Sequence, residues 1–193
     1  MNAVRPACAA CCRYLNNLSP EQKEKKQDGY NNCQFNQFVS DQLSLHRRGR
    51  DTREYGCMSQ KYYPSEKIPQ VSVIIVFYNE ARSTLLRTAW SVIDRAPDHL
   101  LKEVVLVDDG STREHLKQAL DDEVKLMPKT KVVRMPERGG LIRAKVFGVD
   151  HSSGEVLVFI DSHCEANDGW LEPLLDRIVR NRKVSVHQLP SNF

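Results

Sequence analysis

Four short apolar runs, each followed by a polar cluster and then a helical pattern, limit what this chain can fold into more than any other feature. Val71 to Phe77, Glu103 to Val107, Lys131 to Met135 and Val156 to Ile160 have the length and β-branched content of strands in a covered sheet. After the first run, Leu85, Ala89 and Ile93 recur on one helical face with Leu86 and Trp90 beside them, and Pro97 closes the pattern. Ser111 is placed to cap a second helix through Leu120. Apolar positions 141, 142, 146 and 149 mark a third helix, and a fourth lies near Trp170 to Val179. This alternation predicts an α/β fold on a parallel sheet with right-handed crossovers. The last strand, Val156 to Ile160, is expected to be buried on both faces.

Open α/β sheets bind ligands beyond the carboxyl ends of their strands. Here those ends supply Phe77-Tyr78-Asn79-Glu80, Asp108-Asp109, Arg138-Gly139-Gly140 and Asp161-Ser162-His163. Asp161 and His163 stand two residues apart, so their side chains share a face if strand geometry persists. A carboxylate oxygen and an imidazole nitrogen suit a divalent cation, with Mn²⁺ among the candidates. Gly139 and Gly140 permit close backbone approach, and Arg138 offers a planar fork for phosphate or a ring. Acidic residues alone would repel a diphosphate, so a cation follows from the charge arithmetic. There is no G-x-G-x-x-G to favour a dinucleotide and no G-x-x-x-x-G-K-[ST] to favour a triphosphate.

Each element also has a plainer reading. Asp108 and Asp109 can cap a helix, Gly139-Gly140 can be a turn, and His163 can be a hydrogen-bonded structural histidine. Trp90 and Trp170 read as core, and Cys164 as a small buried hydrophobe. Convergence at successive strand ends is what favours a site.

A net charge of +3 over 193 residues, with basic residues scattered, gives no nucleic-acid footprint. No stretch approaches the roughly 18 to 20 apolar residues of a membrane span, and the first thirty residues lack the apolar centre of a secretory leader. Cys8, Cys11, Cys12, Cys33, Cys57 and Cys164 form no paired C-x-x-C set for zinc. Asn17-Leu18-Ser19 fits the N-glycosylation pattern. The expected organisation is a flexible polar lead over 1–30, an extended arm over 31–70, and the α/β domain over 71–193.

Val71 to Leu86 (VSVIIVFYNEARSTLL), Glu103 to Ser111 (EVVLVDDGS), Gly140 to Ala144 (GLIRA) and Asp161 to Leu175 (DSHCEANDGWLEPLL) together resemble the polypeptide N-acetylgalactosaminyltransferases. The similarity covers roughly residues 30 to 185 and includes the arm from Val39 through Cys57. It implies a Rossmann-like GT-A half domain from the amino-terminal part of a catalytic domain. It further implies retaining transfer of GalNAc from UDP-GalNAc to Ser or Thr of an acceptor polypeptide, dependent on Mn²⁺, in the Golgi. By position, Asp161 and His163 match that family's metal pair, with Ser162 beside the sugar nucleotide. Asp109 and Arg138 match contacts to the UDP portion, and Val76 and Phe77 lie where the first strand meets uridine. None of these is assigned as a catalytic residue. Glu165 and Trp170 to Pro173 are read as structural support.

The chain departs from the family at Tyr78, Gly139 and Lys145, where His, Glu and Arg are usual. The family pattern ends after Val186, so a further His ligand, the acceptor-binding half and a lectin domain are expected to be missing. Cys57 resembles a cysteine whose partner lies in that half. The resemblance therefore implies weak donor binding and little transfer by these residues alone. Two alternatives remain open at this stage: a noncatalytic UDP-sugar-binding or regulatory product, and another GT-A transferase.

Overall fold

A computed structural model of the chain describes residues 17–62 and 68–186. Two compact units are present, dividing between Leu43 and Ser44. In the first, helix α1 (Pro20–Cys33) begins with a capping box: Gln22 N–H donates to Ser19 Oγ, and the Gln22 side chain accepts from Ser19 N–H. Pro20 at the first helical position adds a preset φ. A single turn, α2 (Gln37–Ser40), follows. The lead expected over 1–30 is thus helical from Pro20 onward, and residues 1–16, with Cys8, Cys11 and Cys12, lie outside the described residues. The charge run over residues 21–26 reads as disorder by composition, but the Ser-Pro start supplies a helix nucleus.

The second unit holds a short helix α3 (Tyr55–Met58) and then the sheet. Strands β1 (Val71–Phe77), β2 (Leu101–Asp108), β3 (Thr130–Arg134) and β4 (Val156–Asp161) are all parallel, in the order β3-β2-β1-β4. Helices α4 (Arg82–Arg95), α5 (Gln118–Val124), α6 (Leu141–Asp150) and α7 (Glu172–Arg180) complete it. The expected helix from Ser111 is displaced: a 3₁₀ turn at Glu114–Leu116 precedes α5. Ser111 caps nothing there; its N–H donates to Asp108 Oδ1 and its hydroxyl accepts from Asn79 N–H.

Strand alternation sorts the core into two layers. Val71, Val73, Ile75 and Phe77, with Val104 and Leu106, pack against Leu85, Leu86, Ala89 and Val92 of α4, Leu120 and Val124 of α5, and Leu175 of α7. Ile74, Val105 and Val107 face the other way onto Ala144 of α6, with Val76, Val133 and Phe147 beside them. Gly148 lets α6 seat closely, since a Cβ there would stand 2.6 Å from Ile74 Cγ2.

β4 departs from expectation. Val156, Val158 and Ile160 pack on the large layer, but Leu157, Phe159 and Asp161 on the opposite face are exposed. It is an edge strand, and α6 packs across β1 and β2 instead. An apolar run alone does not reveal where in the sheet order a strand will lie. Within the stretch expected to be an extended arm, Arg47 forks onto Glu165 at 2.6 to 3.0 Å and Arg48 reaches Asp168 at 2.7 Å.

Candidate functional site

Sheet register sets the geometry of the site. Phe77 pairs with Asp108, Asp108 with Arg134, and Val76 with Asp161, so the carboxyl ends of all four strands finish on one edge. The chain moves outward from β1 to β2 to β3, then returns to the other side of β1 as β4. The reversal lies between β1 and β4, and such switch points open a crevice at the strand ends. Val76 and Asp161 are neighbours across it.

Asp161 is exposed, and no described side chain hydrogen-bonds to its carboxylate. His163 is also exposed, and its Nδ1 lies 3.1 Å from Glu80 Oε2. Ser162 is buried; its hydroxyl donates to the same Oε2 at 2.8 Å, and its carbonyl accepts from Thr88 Oγ1 at 3.0 Å. Glu80 Oε1 accepts from Ala81 N–H at 2.9 Å and from the Thr84 hydroxyl. Burial pushes the Glu80 carboxyl up, but the donors from Ala81, Ser162 and His163 prevail and hold it below its ordinary value. Sequence reading placed Glu80 at the right strand end without giving it a role. Its contacts with residues 162 and 163 lie 82 and 83 positions away in sequence, beyond the reach of any local pattern.

Asp109 is almost fully buried, and both carboxylate oxygens are engaged by protein. Oδ1 accepts from Gly139 N–H at 2.7 Å and Gly140 N–H at 3.1 Å, and Oδ2 from Gly140 N–H at 3.0 Å. Beside it, Gly110 takes φ +73°, and a Cβ there would stand 2.9 Å from Arg138 N, so the two loops touch through backbone. Arg138 lays its guanidinium 3.8 Å from the Tyr78 ring centroid. The ends of β1, β2 and β3 are thereby tied together around Arg138.

Phe77 is 1% exposed and belongs to the large core layer, so its side chain offers no stacking face to a ligand. Its carbonyl accepts from Asp109 N–H at 3.0 Å. Val76 lies on the opposite face, partly buried, on the side of Asp161. Cys164, expected to be a buried hydrophobe, is exposed because the chain has left the strand by then. Partial burial and the nearby Asp161 push its thiol up, which disfavours a nucleophilic thiolate. Cys57 is an exposed free thiol. Trp170 is core, as read from the sequence.

Asp161 and His163 offer a carboxylate oxygen and an imidazole nitrogen, a donor pair that suits a divalent cation. With Glu80 accepting at Nδ1, the other imidazole nitrogen is left for a ligand, and no donor among the described residues hydrogen-bonds the Asp161 carboxylate. Among the described residues no group of three His, Cys, Asp or Glu surrounds a common point. The pair therefore suits a cation that completes its shell with ligand oxygens and water.

Residues 72–193 match glycosyl transferase family 2. The chain is 49% identical over 169 residues to human polypeptide N-acetylgalactosaminyltransferase 6, covering 87% of this chain and 27% of that protein. It is 50% identical over 165 residues to polypeptide N-acetylgalactosaminyltransferase 5 of Caenorhabditis elegans, covering 85% and 26%. The crystal structure of GalNAc-T7 with UDP, GalNAc and Mn²⁺ superposes with a TM-score of 0.81 at 42% identity, covering 86% of this chain and 31% of that one. The chain spans about a quarter of the length of the curated relatives it matches. The GT-A-like α/β architecture expected from the sequence is the one formed.

Proposed function

The chain belongs to glycosyl transferase family 2, and from that premise we propose that it binds the sugar-nucleotide donor of a polypeptide N-acetylgalactosaminyltransferase, UDP-GalNAc. The observation that carries this reading is the position of Asp161, Ser162 and His163 at the switch point, with the Asp161 carboxylate open to a ligand.

Asp161 and His163 would hold Mn²⁺. When bound, that cation supplies charge stabilisation to a departing diphosphate. The protein's own residues do the rest. Arg138, steadied over Tyr78, presents a fork toward phosphate or a planar base. Asp109 holds the Gly139–Gly140 backbone in place and so sets where Arg138 stands, an indirect contribution to the UDP portion. Val76 forms the floor on the Asp161 side, and Phe77 contributes through its backbone. Ser162, fixed by Glu80 and Thr88, spaces the two metal-facing residues. In the whole protein, the acceptor would be a Ser or Thr hydroxyl of a polypeptide, attacking on the face of the sugar that UDP leaves, in the Golgi.

Isothermal titration of UDP into the chain, with and without Mn²⁺, tests the proposal. Binding should depend on the metal; equal binding in its absence overturns the assignment of Asp161 and His163. A parallel titration with UDP-glucose and UDP-GalNAc distinguishes another donor sugar, since preference for UDP-glucose contradicts the GalNAc assignment.

A further inference from the structure

We infer that Glu80 is a positioning residue: its carboxylate fixes the His163 imidazole as the Nδ1–H tautomer and so aims the unprotonated Nε2 at the cation site. The inference deepens the proposed function and rests on its assignment of His163.

The geometry is that of a carboxylate shared between two strand ends. Glu80 lies in the loop after β1, and its Oε1 is pinned to the start of α4 by Ala81 N–H at 2.9 Å. Its Oε2 crosses the switch point to Ser162 Oγ at 2.8 Å and His163 Nδ1 at 3.1 Å. An ionised carboxylate only accepts hydrogen bonds, so Nδ1 must carry the proton. A neutral imidazole then has its lone pair on Nε2, the form in which histidine ligates a metal. The backbone on both sides is held as well: the Glu80 carbonyl lies 3.0 Å from His115 Nε2, and the Ser162 carbonyl accepts from Thr88. A 63% exposed ring would otherwise sample several orientations. Partners of this kind fix ring orientation and raise the basicity of the ligating nitrogen.

The experiment uses the full chain labelled with ¹⁵N, free of metal and nucleotide, and reads the imidazole nitrogens by long-range proton–nitrogen correlation. The His163 signals are assigned by their loss in His163→Asn. Wild type should show a protonated Nδ1 and a pyridine-like Nε2; a protonated Nε2 overturns the inference without any variant being made. Glu80→Ala should abolish that preference and weaken binding of Mn²⁺·UDP by about 10- to 100-fold in calorimetry. Glu80→Gln should fall between, because its single amide oxygen can accept from Nδ1–H or from the Ala81 amide but not from both. A Glu80→Ala chain that keeps both the wild-type tautomer and the wild-type affinity overturns the inference. The underlying metal assignment is judged separately. If His163→Ala binds Mn²⁺·UDP as wild type does, the ligand role of His163 fails. If His163→Ala loses binding and Glu80→Ala does not, only the positioning role fails. If both act through one group, their losses in the double variant will be less than additive.

Discussion

Replacing Asp109 separates two roles that sequence alone conflates. The side chain is 4% exposed and accepts from the amides of Gly139 and Gly140. Asp109→Ala removes the acceptor of both amides. An orphaned buried donor costs about 1–3 kcal/mol. Both glycines are half-buried, so water recovers part of this, and a total of about 2–4 kcal/mol is expected. For a chain of this size that lowers the melting temperature by about 4–16 °C. Asp109→Asn keeps an oxygen where Oδ1 receives both amides but gives up the Oδ2 contact to Gly140, and should lose about 1–2 kcal/mol. Urea unfolding, run without nucleotide or metal and with the slope checked for constancy, measures both. An Asp109→Ala chain within about 0.5 kcal/mol of wild type, the range of an ordinary surface change, would refute the reasoning. Asp109 would then have to act by touching a ligand.

Other expectations follow from the same contacts. Leu106→Ala, at a fully buried position facing α4 and α5, should cost about 2–5 kcal/mol in urea unfolding. Burial raises the Glu103 carboxyl, but hydrogen bonds from Lys131, Ser153 and Ser72 overcome that and hold it at about 2, against an ordinary 4.5. Because the folded value is depressed, its stabilisation is full above about pH 4.5 and is lost as pH falls toward 2. Thermal melts across that window should show a shallower decline in Glu103→Gln. Asp161→Ala, which removes an exposed carboxylate with no described side-chain partner, should leave urea stability unchanged while abolishing the Mn²⁺-dependent part of UDP binding in calorimetry.

Periodicity revealed the strands because β1 and β2 are apolar on both faces, and a parallel sheet covered by helices requires that. The same rule misled for β4, whose second face is exposed, because strand order is decided by long-range pairing. The lead holds a helix for a local reason. Its polar composition masks a local signal, Ser19-Pro20 with Gln22, that is enough to start α1. At the site, strand-end logic brought Asp161, Ser162, His163, Arg138 and Asp109 to one edge, but not their connections. Asp109 engages amides 30 and 31 residues away, and Glu80 engages side chains 82 and 83 residues away. The Glu80 contacts depend on β4 returning beside β1 and the Asp109 contacts on β3 lying beside β2, and no local pattern encodes either.

The connections give the acidic residues of this edge separate tasks. Asp108 is buried; its Oδ1 closes the turn through Ser111 N–H, and its Oδ2 faces Arg134 at 3.5 Å and Lys117 at 3.8 Å. Asp109 is committed to the glycine loop and Glu80 to the β4 loop. Each of these carboxylates is neutralised or hydrogen-bonded by the protein, which lowers the local repulsion that a diphosphate would meet. Asp161 differs in having its charge facing solvent with no described hydrogen-bond donor. A carboxylate left in that state beside a histidine, on the edge where neighbouring acids are already satisfied, is suited to a cation that brings its own anionic partner. The number of acids at the strand ends is therefore a poor guide to which of them is open to a cation; what distinguishes Asp161 is that, among the described residues, none hydrogen-bonds its carboxylate oxygens.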